Sequence, residues 1–164
     1  MTSKERVLNR ERQRGYEAAK AVQATAENMT GTELNAVDDN IPRFRIACEK
    51  MNMMKRKAGD KDGFVCKSSA GRVVRLIQNY DSDILTAEPE DLPAQWRFVW
   101  STDPKKALQF ISLSTSPYAT GDCCINDGYV WQSGQDGNVW APGTVGVKWN
   151  KLGTIEEIQG GLTN

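Results

Sequence analysis

The chain has no histidine. The one side chain whose unperturbed pKa lies near neutrality is therefore missing, and with it the commonest acid–base catalyst. Nothing reads as GxSxG, HExxH or a phosphate-cradling glycine loop, so the familiar hydrolase, metalloprotease and nucleotide-binding signatures are excluded. Long apolar runs are missing too. No stretch approaches the roughly 18 residues of a membrane-spanning helix, and no membrane partner is expected. The first 25 residues carry charge throughout, where a secretory signal would have an apolar centre. Synthesis in a cytoplasm is expected, and export would need another route, such as lysis of the cell around a larger particle.

Net charge is absent as well. Lys and Arg number 21, as do Asp and Glu, which gives no general electrostatic case for DNA, RNA or an anionic membrane. The balance is uneven, however: residues 1–63 carry 13 basic and 10 acidic side chains, leaving 8 and 11 for the rest. Arg6, Arg10, Arg12 and Arg14 form one dense basic run, and Lys55, Arg56 and Lys57 another. These read either as solvated helix faces or as an arm that docks on an acidic protein surface or nucleic acid. Aromatics interleaved with the arginines, which nucleic-acid binding favours, are lacking, so nucleic acid is not an expected partner.

Cys48, Cys66, Cys123 and Cys124 show no CxxC spacing. A zinc site would need all four thiolates, including an adjacent pair that does not readily coordinate together. Buried free thiols are expected, with no metal and no cofactor; a late-formed disulfide is the alternative. Paired carboxylates occur at Asp38-Asp39, Glu88 to Asp91 and Glu156-Glu157, and all read as solvated turns or helix ends. Asp60, Asp62, Asp81 and Asp83 lack EF-hand spacing. No catalytic residue is identified, and the chain is expected to be non-enzymatic.

What is present begins with Thr2-Ser3-Lys4-Glu5, a capping-box pattern in which a hydroxyl and a glutamate satisfy each other's backbone N–H groups. Arg, Glu, Gln and Ala follow to about Met29, all compatible with helix. Tyr16, Ala19, Val22, Ala26 and Met29 recur at helical spacing as a narrow apolar stripe. The stripe fits one seam, and the β-rich remainder offers it little apolar surface. An assembly arm is therefore expected, with Tyr16, Val22 and Met29 meeting another subunit. A second capping box, Thr30 to Glu33, opens a short helix through Leu34 and Val37, stopped before Pro42. Residues 43–57 fit either helix or strand.

Beyond Gly59, short runs rich in Val, Ile, Tyr and Trp alternate with turn residues, the pattern of antiparallel strands. The candidates are 64–66, 73–77, 96–100, 123–125, 129–132 and 147–152. Asn126-Asp127-Gly128 is a hairpin signal, because Asp-Gly readily supplies positive φ. These strands also repeat. Gly59-Asp60 is answered by Gly121-Asp122, Gly71-Arg72-Val73-Val74 by Gly128-Tyr129-Val130-Trp131, and Pro93 with Trp96 by Pro142 with Trp149. Self-similarity of this kind implies two copies of one unit. The expected fold class is α+β, mainly β: a helical arm over 1–45, then two small three-stranded antiparallel β modules over 46–104 and 105–164. Trp96 and Trp149 should be their equivalent buried core residues, with Gly71 and Gly128 at equivalent turns.

The second copy carries a resemblance. Tyr118, Gly121-Asp122, Asn126 to Trp131, Pro142 and Trp149 resemble the small chitin- and cellulose-binding modules of carbohydrate-binding families 5 and 12. Asp136 to Gly143 is similar to versions found in tailed-bacteriophage structural proteins, where such modules often follow an N-terminal helical segment. The likeness covers residues 116–153 well and 58–100 less well. It implies a virion-associated protein, of head decoration, neck, baseplate or tail fibre, whose partners are other virion proteins and copies of itself. The alternative it implies is an accessory module for a surface glycan. Tyr118, Trp131 and Trp140 are then the ligand-binding candidates, although the tandem aromatics of sugar-binding members are replaced by Gln132-Ser133-Gly134. Trp140 reads either as a sugar platform or as a packing or protein-contact residue.

Overall fold

The computed structural model describes residues 1–160; the last four residues of the expected 105–164 module lie outside them. Helix α1 spans Ser3–Thr25, α2 Gly31–Ala36, α3 Phe44–Lys50 and α4 Ile155–Gln159. Both expected capping boxes are formed, and Thr154 with Glu157 forms a third at α4. Residues 43–57 resolve as α3 followed by a 3-10 turn at Met53–Lys55.

Two sheets follow. The first joins β1 (Val65–Lys67), β2 (Val73–Leu76) and β3 (Trp96–Phe98) as an antiparallel meander. The second contains β4 (Leu108–Gln109), β5 (Cys123–Asn126), β6 (Tyr129–Ser133) and β7 (Trp149–Thr154). Its last three strands are antiparallel, but β4 runs parallel to β5. The expected second three-stranded module is therefore a four-stranded mixed sheet, because the segment after Trp100 returns to pair at the edge of β5.

The two meanders share one register. Val74, three residues after Gly71, faces Cys66, and Trp131, three after Gly128, faces Cys124. Trp96 opens β3 opposite Leu76, and Trp149 opens β7 opposite Ser133. Gly71 and Gly128 have φ of +83° and +79°, a region where a side chain would be strained.

Burial does not follow the same symmetry. Trp96 is fully buried, with Phe44 and Tyr80 edge-on at 5.6 and 6.2 Å, and its Nε1 donates to the Tyr80 hydroxyl at 3.1 Å. Trp149 is only half-buried. It lies against the edges of Phe110 and Tyr118, and its Nε1 donates to the Trp140 carbonyl at 2.9 Å. Equivalent core burial of the two tryptophans is thus overturned. Helix α3 covers the face of the first sheet that carries Trp96, whereas a loop covers Trp149.

The first sheet is covered on both faces. Cys66, Val74, Leu76, Trp96 and Phe98 pack with Phe44, Ala47 and Met53 from the α3 side. Val65 and Val73, alternating to the other face, pack with Val22, Ala26, Leu34 and Ile41. The end of α1 is therefore core, and the expectation that the β-rich remainder offers it little apolar surface is overturned. Polar groups reinforce this junction. The Gln23 amide donates to the Val65 carbonyl at 2.5 Å and accepts from the Val65 N–H at 3.0 Å, closing the free edge of β1. Arg75, buried in β2, donates to the Ala26 carbonyl at 2.9 Å and also to the Lys61 carbonyl; a cation suits the carbonyl end of a helix.

The sheets are joined by a run of aromatic rings. Phe98 stacks on Trp100 at 5.6 Å, Trp100 on Tyr118 at 4.3 Å with planes 12° apart, and Tyr118 on Phe110 at 5.5 Å. Trp100 Nε1 donates to the Ser116 carbonyl at 2.9 Å, and the Cys123 N–H to the Ser101 carbonyl at 2.9 Å. Asp38 adds an ionic clasp: its carboxylate accepts from Lys67 at 3.2 Å and Lys106 at 2.9 Å.

Candidate functional site

The candidate ligand residues separate in space and role. Tyr118 is 1% exposed, held between Trp100 and Phe110, with its backbone paired to Asn138. Burial pushes its phenol far above the usual range. A ring enclosed in this way cannot meet a ligand, so Tyr118 is a core residue and its binding role is overturned. Trp131 is half-buried on β6, and its Nε1 donates to the Asn126 carbonyl at 3.1 Å. The Lys151 ammonium lies 5.0 Å from the Trp131 ring and 3.6 Å from the Tyr129 ring, a cation–π arrangement that occupies the aromatic surface. Trp140 is 54% exposed. Its backbone is held by the Trp149 indole, so the exposed ring sits on a fixed loop. Among the described residues Trp131 and Trp140 form no ring pair.

The carboxylates are tied into the fold more than the sequence suggests. Asp38 is clasped as above. Glu90 accepts from the Ser68 hydroxyl at 2.7 Å and from Arg72 at 3.1 Å, and Glu88 from Arg45 and the Ser69 hydroxyl, both at 2.7 Å. Asp81 and Asp83 accept from the Asn52 amide at 2.7 and 2.9 Å. Asp38, Glu88 and Glu90 are thus structural ligands of cations and hydroxyls, not solvated turn residues. An open cavity of about 480 Å³ lies beside them, lined by Arg43, Arg45, Lys67, Ser68 and Ser69; Glu88 and Asp38 neutralise two of its three cations.

The cysteines are free thiols, with Cys66, Cys123 and Cys124 buried. Burial raises the pKa of all four, to about 11 for Cys123 and about 12 for Cys124, which suppresses the reactive thiolate.

The remaining candidate is α1, and the structure divides it. Val22 is buried and Met29 packs against the same cluster, so neither belongs to an exposed seam. Tyr16 is 63% exposed and flanks a groove of about 270 Å³ between α1 and α3, lined in part by Ala19, Ile46 and Phe64. Every residue from Met1 to Glu17 is exposed, including Val7 at 56% and Leu8 at 50%. Val7 and Leu8 were outside the expected stripe, which began at Tyr16. Their spacing of fifteen and fourteen residues from Val22 is the signal that could have found them, since the pair straddles the same helix face.

No helix among the described residues is long and apolar enough to cross a membrane. Comparison with protein-family models, curated proteins and solved structures finds no match.

Proposed function

We propose that this chain is a non-enzymatic structural component of a tailed-bacteriophage virion, attached through the exposed first half of α1 and displaying its second sheet. The virion class is carried over from the resemblance of residues 116–153. The observation that carries attachment is α1 itself. Residues 1–17 are all exposed, yet they lead into a helix anchored at Val22, Gln23 and Ala26. An isolated helix of this length is marginal in water and gains its stability chiefly by packing, so a partner surface is what this segment lacks. Peptide mass spectrometry and immunogold labelling of gradient-purified virions test the class. Recovery of the chain in particles supports it; recovery only in the unassembled fraction overturns it.

A second reading, glycan binding, is favoured by Trp140 alone, an exposed indole on a braced loop. Titration with chito-oligosaccharides should quench tryptophan fluorescence in the native chain and not in Trp140→Ala. An unchanged response in that variant, or none in the native chain, removes this reading.

A further inference from the structure

We propose that the exposed segment of α1 pairs with the same segment of a second copy of this chain, antiparallel, about a two-fold axis between Val7 and Leu8. The proposal rests on the attachment reading above and names the partner. Lys4, Val7, Leu8 and Glu11 stand at i, i+3, i+4 and i+7, so they share one helix face. That face is open: with Ser3 they line a trough of about 430 Å³ on the helix side.

The order of residues along this face points to the occupant. Turning the helix end for end about the midpoint of Val7 and Leu8 places Lys4 opposite Glu11 of the copy, Val7 opposite Leu8, and Glu11 opposite Lys4. The apolar pair meets itself at the centre, and an opposite charge meets each charge at both ends. Arg12 and Glu5, on the flank of this face, come close to each other's counterparts in the same arrangement. A parallel pair would instead set Lys4 against Lys4 and Glu11 against Glu11. Like charges placed together select against that alternative. Glu11 currently pairs with Arg14 at 3.1 Å, both side chains largely exposed; such a surface pair contributes little and exchanges readily.

The free length also fits. Overlap about this axis brings Met1 of one copy opposite Arg14 of the other, four residues before Ala18, where α1 begins to be covered. Each globular body therefore lies beyond the end of its partner's helix. The contact is short: α1 begins at Ser3, so helix meets helix only over residues 3–12 of each chain, and the pair is weak and concentration-dependent, below the size of a permanent interface.

Sedimentation of the full chain across protein concentration and salt tests this. A reversible dimer is expected, favoured by low salt. Lys4→Glu and Glu11→Lys should each weaken it roughly tenfold, since two charge contacts per dimer change sign. The double variant should recover the native dimer. Lys4→Glu places an acid in the first helical turn, which favours the helix, so helix loss cannot account for its effect; circular dichroism checks this directly. A chain that is monomeric at every concentration overturns self-pairing, as does a double variant that stays as weak as the singles. A monomeric chain that still enters virions through residues 1–17 overturns self-pairing while retaining attachment to a different virion protein.

Discussion

Replacing Trp100 and Tyr118 by leucine, singly and together, tests whether the two sheets share one cooperative core. Trp100→Leu removes the indole donor to Ser116 and the stacking contacts with Tyr118 and Phe98. A hydrogen bond of this kind contributes about 1 kcal/mol and each aromatic pair about 0.5–1.5 kcal/mol. The single change should therefore cost about 2–4 kcal/mol, a large share of an ordinary domain's 5–15 kcal/mol or so. Tyr118→Leu loses two stacked partners and should cost a similar amount. Because Trp100 and Tyr118 touch, the double variant should be less damaged than the sum, with coupling of about 0.5–1.5 kcal/mol. Urea unfolding followed in parallel by circular dichroism and tryptophan fluorescence measures all three. Coincident transitions in the native chain are expected. Coupling below about 0.3 kcal/mol, or two separated transitions of which Trp100→Leu moves only one, would refute a core that runs through both sheets.

Three further outcomes follow from individual contacts. Burial acts to raise the Asp38 pKa, but hydrogen bonds from Lys106 and Lys67 lower it overall from its ordinary 3.8. Its contribution is then complete above the unfolded pKa and is lost as pH falls through the lower folded value. Asp38→Asn should cost about 1–2 kcal/mol near neutrality, and the difference between variant and native chain should begin to shrink only as pH falls below about 4 and vanish once pH is below the lowered folded pKa; a pH-independent difference would refute the ionic clasp. Gly31→Ala should destabilise by about 1–3 kcal/mol despite alanine's helix propensity, since the added carbon would run into the Trp100 carbonyl. Gly15→Ala meets nothing within 4 Å and should raise the helical circular dichroism signal; equal signs for the two glycines would contradict the packing of α2 against Trp100.

How far the sequence carries depends on whether a signal is local. The capping boxes at Thr2 and Thr30 are local patterns, and both are formed. Asp127-Gly128 turns the β5–β6 hairpin with positive φ at both residues, and glycine spacing placed the strands in register. The coarse α+β reading follows from these. Misses arise where partners are distant in sequence. Two-residue β4 has no alternation to read, and it pairs only because β5 is brought alongside. Tyr118 belongs to a motif that the resemblance links to binding, yet Trp100 and Phe110 enclose it. The burial of Val22 was legible in principle. Val65-Cys66 and Val73-Val74 are continuous apolar pairs, the mark of strands covered on both faces, and a second cover had to come from α1 or α2.

Attachment through the exposed part of α1 is tested by incorporation into particles of the chain lacking residues 1–17. That cut leaves Val22, Gln23 and Ala26 on the first sheet, so the shortened chain should unfold in the same transition as the full one. Removing residues 1–29 would also strip the cover from Val65 and Val73 and should destroy that transition. Residues 18–164 should fold normally and be missing from purified virions. Their presence there at the copy number of the full chain would contradict it.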